Sequence, residues 1–187
     1  SYSVLNHYIS ELGQVGVSGF ALFFNIGLIV GCLLLTLFLW DLGRYIGGLF
    51  GRLFSVLGIV TGLSGALVGV FPMNNMHIHV PVAMTFFRSA MILSVIFSGY
   101  VLFSKKSKFG KCVSIPGVLT AFASFMFVFV SDSANHVAKP LAVISVHRPE
   151  VWLAPLLEWS VFFTVLAWVL TVSIYLRHHA VASPRAN

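Results

Sequence analysis

Five apolar runs, each near the ~20 residues a helix needs to cross a bilayer, constrain this chain more than any other feature. They fall at about 15–40, 52–71, 80–103, 113–130 and 155–176. Within each run the apolar residues are consecutive rather than alternating, which excludes a barrel strand. In lipid an isolated apolar segment can satisfy its own backbone only as a helix. The expected fold is therefore an all-α integral membrane helical bundle with five visible spans, one domain over residues 1–187. Composition excludes a soluble alternative. Charged residues make up 9% of the chain, against roughly a quarter in soluble domains, and the mean hydropathy is +0.97.

The formal charge of +6 does not indicate nucleic-acid binding. The basic residues lie in short clusters between spans, as topology signals do. Arg44, Arg52, Lys105, Lys106, Lys108, Lys111, Arg177 and Arg185 fall in one set of connections, and only Lys139 and Arg148 in the other. The first set is expected in the cytoplasm of a cell carrying the protein in its plasma membrane. That places the C-terminus inside and Ser1 outside. Trp40, Tyr45 and Tyr175 then fall at the inner interface, and Trp152 and Trp159 at the outer one. An external Ser1 without a signal peptide leads us to expect a further helix upstream. Cys32 lies in a span and Cys112 beside the lysine cluster, with no C-x-x-C motif, so neither a disulfide nor a thiol redox centre is expected.

The polar residues outside the basic connections collect in the outer half. Asn25 lies roughly 15 Å, and Arg88 roughly 12 Å, from the outer ends of their expected spans at 1.5 Å per residue. Glu158 begins the fifth span and Asp132 ends the fourth. Glu11, His77, His79, His136, His147 and Arg148 lie in outer connections. A cation at the depth of Arg88 needs a carboxylate or an anionic ligand. Glu158 is the expected partner, with Asp132 second. The pair can simply stabilise the bundle, or form with Asn25, Glu11 and Arg148 an anion clamp for a lipid headgroup.

His77, His79, Asp132 and His136 are the candidate metal ligands. His77-x-His79 can chelate from an extended loop, and Asp132 and His136 are four apart, which suits one helix face. Zinc is the candidate cofactor. A b-type haem is disfavoured, because bis-histidine ligation in a bundle needs histidines within the spans and here each lies at a helix end or in a connection. No G-x-S-x-G, H-E-x-x-H or phosphate-cradling glycine loop is present. Gly58, Gly62, Gly65 and Gly69, with Gly27 and Gly31, form small-residue stripes expected to pack helix on helix. The phenylalanines at 122, 125, 127 and 129 are expected to face lipid. The apolar stretch Leu141–Ile144 is too short to span and can lie in the interface as a lid.

Two stretches, Ile9-Ser10-Glu11-Leu12-Gly13 and Phe24-Asn25-Ile26-Gly27, with Phe71-Pro72-Met73-Asn74 and His77 or His79, resemble a family of prokaryotic six-pass membrane proteins catalogued as a domain of unknown function. Its pattern is I-S-[ED]-L-G, then F-N-x-G, then F-P-x-N…H. The resemblance implies a six-helix bundle and no established activity. Leu156-Leu157-Glu158-Trp159 also looks distantly like the Frag/DRAM/Sfk-type membrane proteins. Three functions are expected to compete. One is a protein that binds a membrane lipid, another amphiphile or a partner subunit through the outer polar cluster. The second is a zinc-assisted lipid hydrolase, in which the metal would lower the pKa of a bound water. The third is an accessory subunit of a larger membrane complex.

Overall fold

The computed structural model describes residues 2–135 and 148–182. Five long helices run up and down: α1 (Ala21–Ile46), α2 (Gly48–Val70), α3 (Met76–Phe103), α4 (Ser114–Asn135) and α5 (Leu153–Ala182). All five are long and apolar enough to span a membrane, and no strand occurs among the described residues. Each helix packs on its neighbour in sequence where that neighbour is described, α1 on α2, α2 on α3, α3 on α4, and α5 returns onto α4. The bundle thus has two ends. One carries the lysine connection between α3 and α4; the other carries the N-terminal segment.

The helix limits differ from the hydropathy reading for local reasons. The segment 15–20 is apolar enough to count as span, but Gly16 turns at φ +82° and α1 starts only at Ala21. At its other end α1 runs on through Asp41, Arg44 and Tyr45, which are exposed and can reach the interface. Gly47 alone separates α1 from α2, and it and Gly48 sit at φ +81° and +65°, a conformation available to glycine at little cost. α3 begins at Met76, so Pro81 lies inside the helix rather than in its first turn. α4 extends to Asn135, which turns Asp132 into a helical residue.

Tight packing concentrates on the α1–α2 seam. A Cβ on Gly58 would meet the Leu39 side chain at 2.6 Å, and one on Gly65 the Cys32 sulfur at 2.7 Å. One on Gly51 would strike the Gly43 carbonyl oxygen. The α2 stripe therefore serves close approach within the chain, whereas Gly27 and Gly31 face open space. Towards the basic end, Leu39, Leu42, Phe54, Leu93, Phe97 and Trp168 form the main core. Phe122, Phe125 and Phe129 are exposed as expected of lipid-facing residues. Phe127 instead turns inward against Phe87, centroids 4.2 Å apart.

Candidate functional site

The polar residues away from the basic connections resolve into two structures: a cap made by the N-terminal segment, and an ion pair on the α3–α4 seam.

The cap is folded by its own sequence first. Ile9–Gly13 forms a 3-10 turn, started by Glu11, whose carboxylate accepts the Tyr8 N–H at 3.0 Å. The same carboxylate pairs with Arg148 at 2.9 Å, and Arg148 also donates to the Asn6 carbonyl at 3.2 Å. Asn6 returns a bond to the Pro149 carbonyl at 3.0 Å. The cap is then held to the bundle by four side chains. Glu158, 6% exposed, accepts the Ile9 N–H at 2.8 Å and the Ser10 hydroxyl at 3.2 Å. Asn25 donates to the Gly13 carbonyl at 2.9 Å, and its amide lies where a Cβ on residue 13 would stand, which explains the glycine. Asn74 makes a reciprocal pair with the Val15 peptide, both bonds 2.9 Å. Trp159 donates to the His7 carbonyl at 3.1 Å.

Polar groups taken out of water must find partners, and here backbone and side chains of distant segments satisfy one another. The tyrosines sense this enclosure. Burial, then the carboxylates of Glu11 and Glu158, push the Tyr2 hydroxyl up to about 12. Burial likewise raises Tyr8, with Glu158 and then Glu11 adding to it.

Asn25, Glu158, Glu11 and Arg148, the residues expected to form an anion clamp, are brought together, and the contacts they make among the described residues are with the cap. Asn25 lies at the start of α1, roughly 6 Å from its first residue, rather than deep in a span. Glu158 is not the partner of Arg88. Asn74, Ser10 and Trp159 escaped the site reading although they are cap contacts. The F-P-x-N stretch that contains Asn74 was the available signal.

Arg88 pairs instead with Asp132. Its Nη2 lies 2.9 Å from both carboxylate oxygens. The two side chains are 52% and 45% exposed. Arg88 is roughly 18 Å along α3 from Met76 at 1.5 Å per residue. Its side chain leans towards the helix N-terminus as helical side chains do, hence towards the cap end. One guanidinium nitrogen makes the whole pair. Among the described residues Nε and Nη1 have no acceptor.

Of the expected metal ligands, those among the described residues, His77, His79 and Asp132, are not gathered. His77 and His79 lie in the first turn of α3 rather than on an extended loop. Two residues apart on a helix, they point to opposite sides. His77 is exposed, whereas His79 is buried, with Nδ1 2.8 Å from the Phe71 carbonyl oxygen. Asp132 faces Arg88 on the α3–α4 seam, away from both histidines' helix turn. His136, His147 and Leu141–Ile144 lie outside the described residues. Among the described residues no group of three or more His, Cys, Asp or Glu could hold a metal ion. An internal void of about 10 Å³, lined by Leu39, Thr61, Ala90, Ser94 and Trp168 among others, offers at most the space of one water.

No curated protein and no solved structure matches this chain. The family model described as "Protein of unknown function (DUF998)" matches residues 1–175. With five helices fit to span a membrane and a match over most of its length, the chain is an integral membrane protein that belongs to this family of unknown function.

Proposed function

We propose that the protein binds a zwitterionic membrane amphiphile at the α3–α4 seam, with Arg88 taking the anionic group of the headgroup and Asp132 the ammonium. The reading rests on the Arg88–Asp132 pair, half-exposed on the side of a bundle whose surroundings are apolar. A charge near the membrane interior is costly and marks a site for a polar partner. Because Nη2 alone holds the carboxylate, two edges of the guanidinium remain for a phosphate oxygen, and arginine suits that geometry. The half-exposed carboxylate has lone pairs left for an ammonium. The pair is neutral overall, so it complements a headgroup carrying both signs better than a simple anion. The lean of Arg88 towards the cap end carries its guanidinium from the middle of α3 towards the headgroups on that side.

The test is binding of phosphatidylethanolamine to the full chain in neutral detergent, read by native mass spectrometry against phosphatidylglycerol. Each of Arg88→Met and Asp132→Asn should weaken phosphatidylethanolamine about 10- to 150-fold, the value of a charge-assisted hydrogen bond. Unchanged binding in both variants would remove the proposal.

A further inference from the structure

The opposite end of the bundle handles charge differently. Arg44, Arg52, Lys105, Lys106, Lys108, Lys111 and Arg177 are all exposed there, with Asp41 as their acidic neighbour. Both ion pairs among the described residues lie elsewhere. A cluster of cations beside a span can be no more than a topology signal. The connection between α3 and α4 is built more firmly than that role requires.

Phe109, 6% exposed, is driven into the core and packs against Tyr45, Phe97 and Tyr175, with ring centroids 5.7, 5.3 and 5.5 Å away. Tyr100 donates its hydroxyl to the Lys106 carbonyl, and Tyr175 donates to the Lys108 carbonyl, each at 3.0 Å. Ser104 Oγ accepts the Lys106 N–H and Ser107 Oγ the Phe109 N–H, both at 3.2 Å. Lys108 crosses to α1, donating to the Tyr45 carbonyl at 2.9 Å above the Tyr45 ring. The backbone that carries the lysines is thus pinned from both sides. The ammonium groups of Lys105, Lys106 and Lys111 have no protein acceptor among the described residues. Phe103, the residue before this connection, is 84% exposed, and Ile115, just after it, 60%.

We infer that this pinned connection is a binding site for an anionic phospholipid, with the phosphate on Lys105, Lys106 and Lys111 and the acyl chains against Phe103 and Ile115. The cations supply attraction for phosphate chemistry, which a free phosphate would share. The flanking apolar side chains select the lipid, since a soluble anion gains nothing from them. A fixed backbone reduces the ordering cost of binding. This site is independent of Arg88 and prefers a net negative headgroup.

The experiment uses the full chain in neutral detergent, titrated with phosphatidylglycerol and read by native mass spectrometry and by thermal shift. Each lysine near an anionic surface is worth about a fivefold change in affinity. Lys105→Gln, Lys106→Gln and Lys111→Gln together should therefore weaken binding about a hundredfold by the same rule, and Lys105→Gln alone about fivefold. These side chains are exposed, so folding should survive; the single variant carries the test if the triple one does not fold. Phe103→Ser should weaken phosphatidylglycerol and leave competition by inorganic phosphate unchanged. Tyr100→Phe with Tyr175→Phe keeps every charge and should still weaken the lipid. Equal affinity of the triple variant and the parent would overturn the site. Equal protection by inorganic phosphate, with Phe103→Ser silent, would assign the lysines to a soluble anion and overturn the lipid.

Discussion

Replacing Glu158 by Gln should release the cap while the bundle stays folded. The Glu158 carboxylate accepts two bonds, from the Ile9 N–H at 2.8 Å and the Ser10 hydroxyl at 3.2 Å, in a position 6% exposed. An amide of the same shape keeps one acceptor oxygen for the Ile9 N–H and presents N–H groups to Ser10. The Ser10 hydroxyl must then turn from donating to accepting, so the stronger contact to a carboxylate is given up. One charge-assisted hydrogen bond is then lost, at a cost of about 1.5–3 kcal/mol. That raises the cap-opening equilibrium about 10- to 150-fold by the same figure. Hydrogen exchange reads it directly, because local opening sets the exchange rate of protected amides. With the protein in lipid nanodiscs, amides of residues 9–15 should lose protection by that factor, while those of 58–69 in α2 stay unchanged. Asn74→Ala should open the same segment, because the Val15 peptide loses both its partners. If the cap opens as one unit, each substitution should raise exchange across the whole segment, and the two together should add in opening free energy until the cap is fully open. Unchanged exchange at 9–15 in Glu158→Gln, or equal loss throughout α2, would refute the argument that this carboxylate holds the cap.

Three further outcomes follow from the structure. In a Cys112→Ser background, cysteines at Ser107 and Glu150 should label with an impermeant thiol reagent from opposite sides of the membrane, Ser107 from the cytoplasm; labelling from one side would break the five-span topology. Gly51→Ala should cost about 1–3 kcal/mol by overpacking, because its Cβ meets the Gly43 carbonyl oxygen, whereas Gly27→Ala faces open space and should leave the melting temperature unchanged. Raising the pH should undock the cap. Tyr2 and Tyr8 ionise less readily in the docked cap than free, so docking is at full strength below their ordinary pKa of about 10 and is lost as pH climbs through the raised values. Exchange at residues 3–15 measures this, and Tyr2→Phe with Tyr8→Phe should flatten the dependence.

The spans were legible because crossing a bilayer leaves one solution per apolar run, and that constraint is local. Their ends were not, because they depend on partners. Nothing near Val15 states that its peptide will pair with Asn74, so the apolar count carried the first span too early. Arg88 was legible as a cation in need of an acid. The choice between Glu158 and Asp132 was not, since a carboxylate can be satisfied by backbone N–H groups as well as by a cation. Here the donors come from Ile9 and Ser10, far away in sequence. His77 and His79 turn on one detail, the start of α3. From an extended loop both side chains would face the same way; once the helix starts at Met76 they diverge.

Helix dipoles account for one charge and single out an exception. The cap end gathers the N-termini of α1, α3 and α5, whose free N–H groups favour anions. Yet none of the three has an acidic residue in its first turn, and Glu11 and Glu158 are held by the cap contacts instead. The other end gathers the C-termini of α1 and α3, which favour cations, and Arg44 lies in the last turn of α1. Arg44 thus has two sufficient causes, the dipole and its place among the topology signals. Asp132 has neither. It is an anion eighteen residues into α4 (Ser114–Asn135), far from that helix's N-terminus and half-exposed in an apolar setting. Its contact with Arg88 relieves that position only in part, because exposed pairs contribute little stability. Departures from local rules that the fold does not repay are where function is expected to lie. The Arg88–Asp132 pair is such a departure, while the cap, with its polar atoms satisfied by the chain itself, is not.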